Sequence, residues 1–318
     1  MIKLRNLKEV RLYGRTITQL LDEFQKFEGR DFIFFDTETL GFNPEPEYIQ
    51  LTQIGIVLAD GTTMKIKKTL NLKIQLSDSS KRFLEPSSWE RHDWGKHKEG
   101  THDKTPSEIL DMTGYFNNLP ERMSTEEEAL KLFSQFINNA NNPILVAHNA
   151  SFDMRFINVR AQRYGIKIKK VQVVDTLRLA KYYLIPTLEK LEKSDVLKQL
   201  RRVKEMAIKD IKPDETLRPG EHKKKKPHPK DTEFENFTAD DGTEMLRIIY
   251  GKPSASLGKL TPVLVGKIEN WHDALSDVKS MMMVYQKIIE ILYANRNVDI
   301  AALQADEYRR YKKFRGHN

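Results

Sequence analysis

The spacing of apolar residues changes several times along this 318-residue chain, and each change predicts an element. Ile17, Leu20, Leu21 and Phe24 recur at helical intervals behind Thr16 and Thr18, either of which can cap a helix packed on the main domain. Phe32 to Phe35 is a continuous apolar run, the pattern of a strand buried on both faces. Ile49 to Leu58 and Met64 to Leu72, separated by the turn signal Asp60-Gly61, complete an antiparallel three-strand unit. Thr125 to Ile137 predicts a helix that buries Ala129, Leu132, Phe133, Phe136 and Ile137. Ile144–Ala147, Phe152–Tyr164 and Val171–Val174 then read as strand, helix and strand, with Gly165 ending the helix. That order implies a right-handed parallel crossover. A last stripe, Leu275, Val278, Met282, Tyr285, Ile289 and Leu292, predicts a long helix from Asp273 to about Tyr293.

These elements define an α/β fold with a mixed five-stranded sheet flanked by helices. The expected organisation is a helical extension over 1–30, the first part of the core domain over 31–184, and a basic insertion over 185–254. A completing helix over 255–295 and a basic tail over 296–318 follow. The insertion reads as a helical part followed by a Pro-rich loop carrying Lys223, Lys224, Lys225 and Lys226. The tail, with Arg309, Arg310, Lys312, Lys313 and Arg315, is expected to fray, with contact to nucleic acid as the alternative. Residues 77–105 read as a charged loop. Its His92, His97 and His102 do not share a helical face, so a solvated loop is preferred to a zinc site.

Charge narrows the partners. A formal net charge of +8 favours a polyanion. No apolar run of about 18 residues offers a membrane span, and Met1 to Arg5 lacks the apolar core of a secretory signal. Zero cysteines exclude disulfides and thiolate metal sites and fit a cytoplasmic protein.

The chemistry lies in three islands at the ends of core elements. Asp36 and Glu38 follow the Phe32–Phe35 run, and residues two apart on a strand share a face. Two such carboxylates share either a proton or a cation. Asp153 opens a helix behind His148, Asn149 and Ser151, a position where a lone Asp is most simply a first-turn residue favoured by the helix dipole. Asp277 borders the stripe of the last helix, where an acid is neither solvated nor cheaply buried. Asp273, nearer the helix start, reads as a dipole-favoured surface residue. Carboxylates with no thiols suit hard divalent cations.

Together the islands resemble the DEDDh, or DnaQ-like, family of 3′→5′ exonucleases. That family carries Asp-x-Glu on its first strand, an Asp after a His-Asn-x-x-Phe segment, and His-x-x-x-x-Asp at a late helix. Here these fall on Asp36 and Glu38, on His148 to Asp153, and on His272 to Asp277. Met112-Thr113-Gly114-Tyr115 and Asp175-Thr176-Leu177 look like two further family segments. The resemblance spans roughly 31–184 and 255–293. It implies an RNase H-like fold, with Asp36, Glu38, Asp153 and Asp277 holding two Mg2+ or Mn2+ ions and His272 acting as general base. It further implies contacts to a 3′-terminal nucleotide through Thr37, Thr39 and Leu40, and through Thr113, Gly114, Tyr115 and Phe116, the last two offering stacking faces. His148 and Asn149 would touch phosphate or hold their loop. The implied substrate is single-stranded DNA, with RNA 3′ ends or a noncatalytic scaffold role as alternatives. The long basic insertion departs from compact members and is expected to contact phosphates through Lys223 to Lys226, with a disordered solvated loop or a docking site for another protein as the competing readings. A polymerase or repair partner would be a separate chain.

Overall fold

A computed structural model of the chain describes residues 8–9, 12–85, 106–113, 115–116, 119–208, 232–266 and 273–315. Nine strands and eleven numbered helices occur among them. The main sheet contains β1 (Lys8–Glu9), β2 (Asp31–Thr39), β3 (Leu51–Asp60), β4 (Ile66–Lys73), β5 (Ile144–Ala147) and β6 (Gln172–Asp175), in the order β1-β6-β5-β2-β3-β4. β2, β3 and β4 are antiparallel, whereas β2, β5 and β6 are parallel. The expected five-stranded mixed sheet is present as β2 to β6. The two-residue β1, paired parallel to β6 at the edge, was not legible in the sequence.

Helices cover both faces. α1 (Ile17–Gln25) is capped by Thr16 in a reciprocal capping box with Gln19. α2 (Asp78–Phe83) and α3 (Pro106–Met112) flank the 86–105 segment, and His92, His97 and His102 lie outside the described residues. α4 (Glu126–Asn139) follows, then α5 (Ala150–Arg163), which ends before Gly165 at φ 66°. A continuous helical run is built from α6 (Thr176–Leu179), a π turn over Ala180–Leu184, and α7 (Ile185–Lys190). After α8 (Ser194–Gln199) the chain returns to the core through α9 (Leu257–Leu264) and α10 (Ala274–Ala294), and α11 (Ala301–Arg315) is last.

The period-two alternation of β2 divides the core. Phe32 and Phe34 join the cluster that contains Ile17, Leu20, Val278 and Tyr285; Ile33 and Phe35 join Phe133, Phe156 and Ile157 on the other face. Tyr285 of α10 meets both Phe32 and Phe34 edge-on, with centroids 5.9 and 5.7 Å away. That contact seats α10 along the even-numbered row of β2.

Three expectations are corrected. On α4 the buried face carries Leu130, whereas Leu132 is exposed, because the stripe runs through Ala129, Leu130, Phe133 and Ile137. The 185–254 segment holds a three-stranded antiparallel sheet, β7 (Arg202–Ala207), β9 (Glu244–Tyr250) and β8 (Glu233–Thr238) in that order, where helix and loop were expected. Its charges are used across strands: Arg247 bonds Glu205 at 2.7 Å and lies 3.7 Å from Glu235. Lys223 to Lys226 lie outside the described residues. Finally, the tail is helical rather than frayed, since Tyr308 of α11 stacks on Tyr13 at 3.8 Å.

Candidate active site

Asp36 and Glu38 continue the even-numbered row of β2 beyond Phe34, so they point to the face that α10 covers. On α10, Asp277 precedes Tyr285 by eight residues, a little over two turns, and therefore shares its face. Since Tyr285 sits over Phe32 and Phe34, Asp277 is carried to the end of β2. One carboxylate oxygen from each of Asp36, Glu38 and Asp277 lies within 4.8 Å of the other two.

Close approach of helix and sheet depends on Gly55, directly opposite Asp36 in the β2–β3 ladder. A Cβ there would lie 2.5 Å from both the carbonyl carbon and the oxygen of Ala274. Glycine is the residue that lets the helix start rest on β3.

Asp153 comes from the other face, in the first turn of α5, and is buried. Its Oδ1 accepts from the Thr37 backbone N–H at 3.1 Å and from the Thr37 hydroxyl at 2.7 Å. Thr37, expected at the substrate, is thus a buried partner of Asp153. The α5 start is fixed further by Asp175, whose Oδ1 accepts from the backbone N–H groups of Asn149, Leu177 and Arg178.

Electrostatically the cluster is unfavourable without a cation. Burial, then the charges of Asp153, Glu38 and Asp277, push the Asp36 carboxyl well above its ordinary value. Burial, followed by Asp277 and Asp153, pushes Glu38 up to about 8. Burial raises Asp153 to about 7 although the Thr37 hydrogen bonds pull the other way. Oxygen-only donors this close, each strained toward protonation by the others, are what a hard divalent cation relieves. The residues present therefore fit Mg2+ or Mn2+.

The remaining predicted residues divide. Thr39 and Leu40 are buried: the Thr39 hydroxyl donates to the Gly41 carbonyl at 2.7 Å, and Leu40 N–H donates to the Gln50 carbonyl. Thr113 is buried with its hydroxyl on the Leu110 carbonyl. Tyr115 is a correction, since its ring is buried and its hydroxyl donates to the Ile74 carbonyl at 2.9 Å, leaving no stacking face. Its neighbour Phe116 is exposed. The His148 ring is held by Thr176 at 3.0 Å, and burial lowers its pKa to about 4. Asn149 takes a left-handed conformation, φ 71°, at the entrance to α5. Gly114 and His272 lie outside the described residues.

Sequence reasoning missed four residues around the cluster. Gln53, opposite Glu38, donates to Asp273 at 2.7 Å and to Asn71 at 2.7 Å. Lys73 continues that cross-strand row and reaches toward the Tyr115 carbonyl at 3.4 Å. Phe42 is 78% exposed and meets Phe152 edge-on at 6.5 Å. Its signal was an aromatic residue in a polar loop directly behind the first island. Asp273, expected as a surface residue, is half-buried and caps α10, its Oδ2 accepting from the Ser276 N–H. Burial works against its ionisation, but these hydrogen bonds win and hold its pKa down.

No protein-family model matches the chain. Over 159 residues it is 30% identical to DNA polymerase III PolC-type of Halalkalibacterium halodurans, covering 50% of this chain and 9% of that protein. The same protein of Clostridium perfringens is 30% identical over 171 residues, covering 54% of this chain and 9% of the relative. The chain thus spans less than a tenth of the length of these relatives. Among solved structures, E. coli exonuclease I in complex with a dT13 oligonucleotide has a TM-score of 0.44 at 14% identity, covering 82% of this chain and 41% of that one. Over half of its length, then, the chain is similar to PolC-type DNA polymerase III, and on a mixed sheet it carries the acidic pattern of the DnaQ-like 3′→5′ exonucleases.

Proposed function

We propose that this chain is a metal-dependent 3′→5′ exonuclease that acts on single-stranded DNA ends and releases nucleoside 5′-monophosphates. The observation that carries this reading is the meeting of Asp36, Glu38 and Asp277 within 4.8 Å, with Asp153 entering from the opposite face. The relatives bear the name of a DNA polymerase, which supports DNA as substrate.

Two divalent cations, when bound, would supply positive charge at the scissile phosphate and its attacking and leaving oxygens. The chain's own part is to hold the four carboxylates in place. Asp36 and Glu38 are fixed by the strand, Asp153 by Thr37, and Asp277 by the docking of α10. His272, by the resemblance to the DnaQ-like family, takes the proton from the attacking water. The exposed rings of Phe42 and Phe116 offer faces to bases. Lys223 to Lys226 contact backbone phosphates, and a polymerase or repair protein is the partner this reading implies. Among the described residues no helix is long and apolar enough to cross a membrane.

The test compares wild type with Asp153→Ala on labelled DNA and RNA strands blocked at either end, with Mg2+. Mononucleotide release from a free 3′ end of DNA, abolished by the substitution, is expected. Release from a strand whose 3′ end is blocked would refute the polarity. Faster release from RNA would reassign the substrate. Alanine at Lys223 to Lys226 should weaken long-strand binding and flatten its salt dependence, leaving hydrolysis of a very short oligonucleotide intact.

A further inference from the structure

The same pair of strands that presents two of the acids also holds the start of the helix that brings the third. In the β2–β3 ladder Asp36 faces Gly55 and Glu38 faces Gln53; one strand further, Gly55 faces Asn71 and Gln53 faces Lys73. Cross-strand partners share a face, so Gly55, Gln53 and Asn71 lie beneath the first turn of α10. Gln53 is buried, and its single amide nitrogen donates both to Asn71 Oδ1 and to Asp273 Oδ1, at 2.7 Å each.

Asp273 then passes this anchor to Asp277 by two short links. Its second carboxylate oxygen accepts from the Ser276 N–H at 3.1 Å, and its backbone carbonyl accepts from the Asp277 N–H at 2.9 Å. The latter is the first i to i+4 bond of the helix. Two hydrogen bonds in series, through Asp273, therefore connect the residue opposite Glu38 to the backbone of Asp277, and a third ties Asp273 to Ser276.

We propose that Gln53 and Asp273 are positioning residues of the acidic centre: they fix the depth and rotation of the first turn of α10, so that the Asp277 carboxylate arrives within ligand distance of Asp36 and Glu38. Neither residue needs to touch the cation. Asp273 is required as a carboxylate because it serves two acceptor bonds at once, one oxygen to Gln53 and the other to the helix N–H. An asparagine has a single oxygen and satisfies one of the two. The inference rests on the metal-dependent reading above and deepens it.

The experiment measures Mn2+ binding to the full chain by calorimetry and by the free-ion EPR signal, for Gln53→Met, Asp273→Asn and the double variant. Each single variant is expected to bind Mn2+ about ten-fold more weakly. The double variant should be no weaker than the worse single one, because both break one connection. For nucleotide release, kcat should fall while KM for the oligonucleotide stays within about two-fold of wild type. Circular dichroism and urea unfolding identify folded protein. Lower stability with unchanged Mn2+ affinity of the folded molecule would overturn the inference, as would additive losses in the double variant. Weakened Mn2+ binding in a wild-type background that releases no nucleotide would refute the exonuclease reading alone and leave the positioning role standing. Wild-type protein that binds no Mn2+ refutes both.

Discussion

Thr37 gives both of its donors, backbone N–H and hydroxyl, to a single oxygen of Asp153, which ties the first strand of the centre to the helix on its opposite face. Thr37→Val keeps the shape and the backbone donor but removes the 2.7 Å bond. Hydrogen bonds to a charged group are worth about 1.5–3 kcal/mol, so the Asp153 carboxyl should climb further above about 7. The expected result is roughly a ten-fold loss of kcat/KM at neutral pH, one decade per 1.4 kcal/mol, recovered at higher pH. An unchanged pH profile would show that the hydroxyl does not tune Asp153.

Removing a carboxylate should stabilise the metal-free protein. Asp277→Asn relieves a repulsion that raises both Asp36 and Glu38. A gain of about 1 kcal/mol would appear as an increase of roughly 2–4 °C in Tm in EDTA. The further increase that Mn2+ gives wild type should be absent from the variant. A lower Tm in EDTA would contradict this account of the cluster.

Stability of the metal-free protein should fall as pH rises. The acids bind protons more tightly in the folded state than in the unfolded chain, so their contribution is present below the ordinary carboxylate pKa. It is lost through the folded values, about 7 for Asp153 and about 8 for Glu38. His148 works in the opposite direction: lowered from 6.5 to about 4, it adds stability as pH climbs through that interval. The net fall is therefore steepest above pH 6.5. Urea midpoints across this range in EDTA, and their flattening at saturating Mn2+, provide the measurement.

Gly55→Ala tests the seat of α10. The added Cβ meets backbone atoms of Ala274 at 2.5 Å, and backbone cannot swing aside as a side-chain tip can. A cost of about 1–3 kcal/mol is expected. A displacement near 1 Å would lower turnover about 100-fold. Wild-type turnover in this variant would mean that the helix has slack at its start.

Arg160 and Glu126 form a buried ion pair at 2.7 Å, and Glu126 also accepts from the Leu51 N–H and from the Tyr164 hydroxyl. Arg160→Leu leaves that carboxylate buried without its cation, at a cost of about 3–5 kcal/mol. Thermal unfolding should show the loss. Adding Glu126→Gln should recover part of it, a result that simple additivity does not give.

The acids were legible because each stands at the junction of a strongly patterned element: the aromatic run before Asp36, the short apolar strand before His148, and the stripe that carries Asp277. The residues that hold them were not. Gly55 and Gln53 lie inside the Ile49–Leu58 run, where a glycine reads as a weak point and a glutamine as a polar face. Their meaning appears only when β3 is in register with β2. The insertion was misread because its acids and bases pair with one another across the strands of an exposed sheet. The tail was misread because one aromatic anchor, Tyr308 on Tyr13, outweighs its surface charge.

The acid that α10 contributes has a consequence for how the molecule comes into being. Asp36, Glu38 and Asp153 all leave the ribosome long before Asp277, and the sheet and helix that carry them are complete by β6. A nascent chain can fold that sheet and still lack the carboxylate that closes the trio. The acidic centre stays incomplete during its own synthesis until α10 docks on β3.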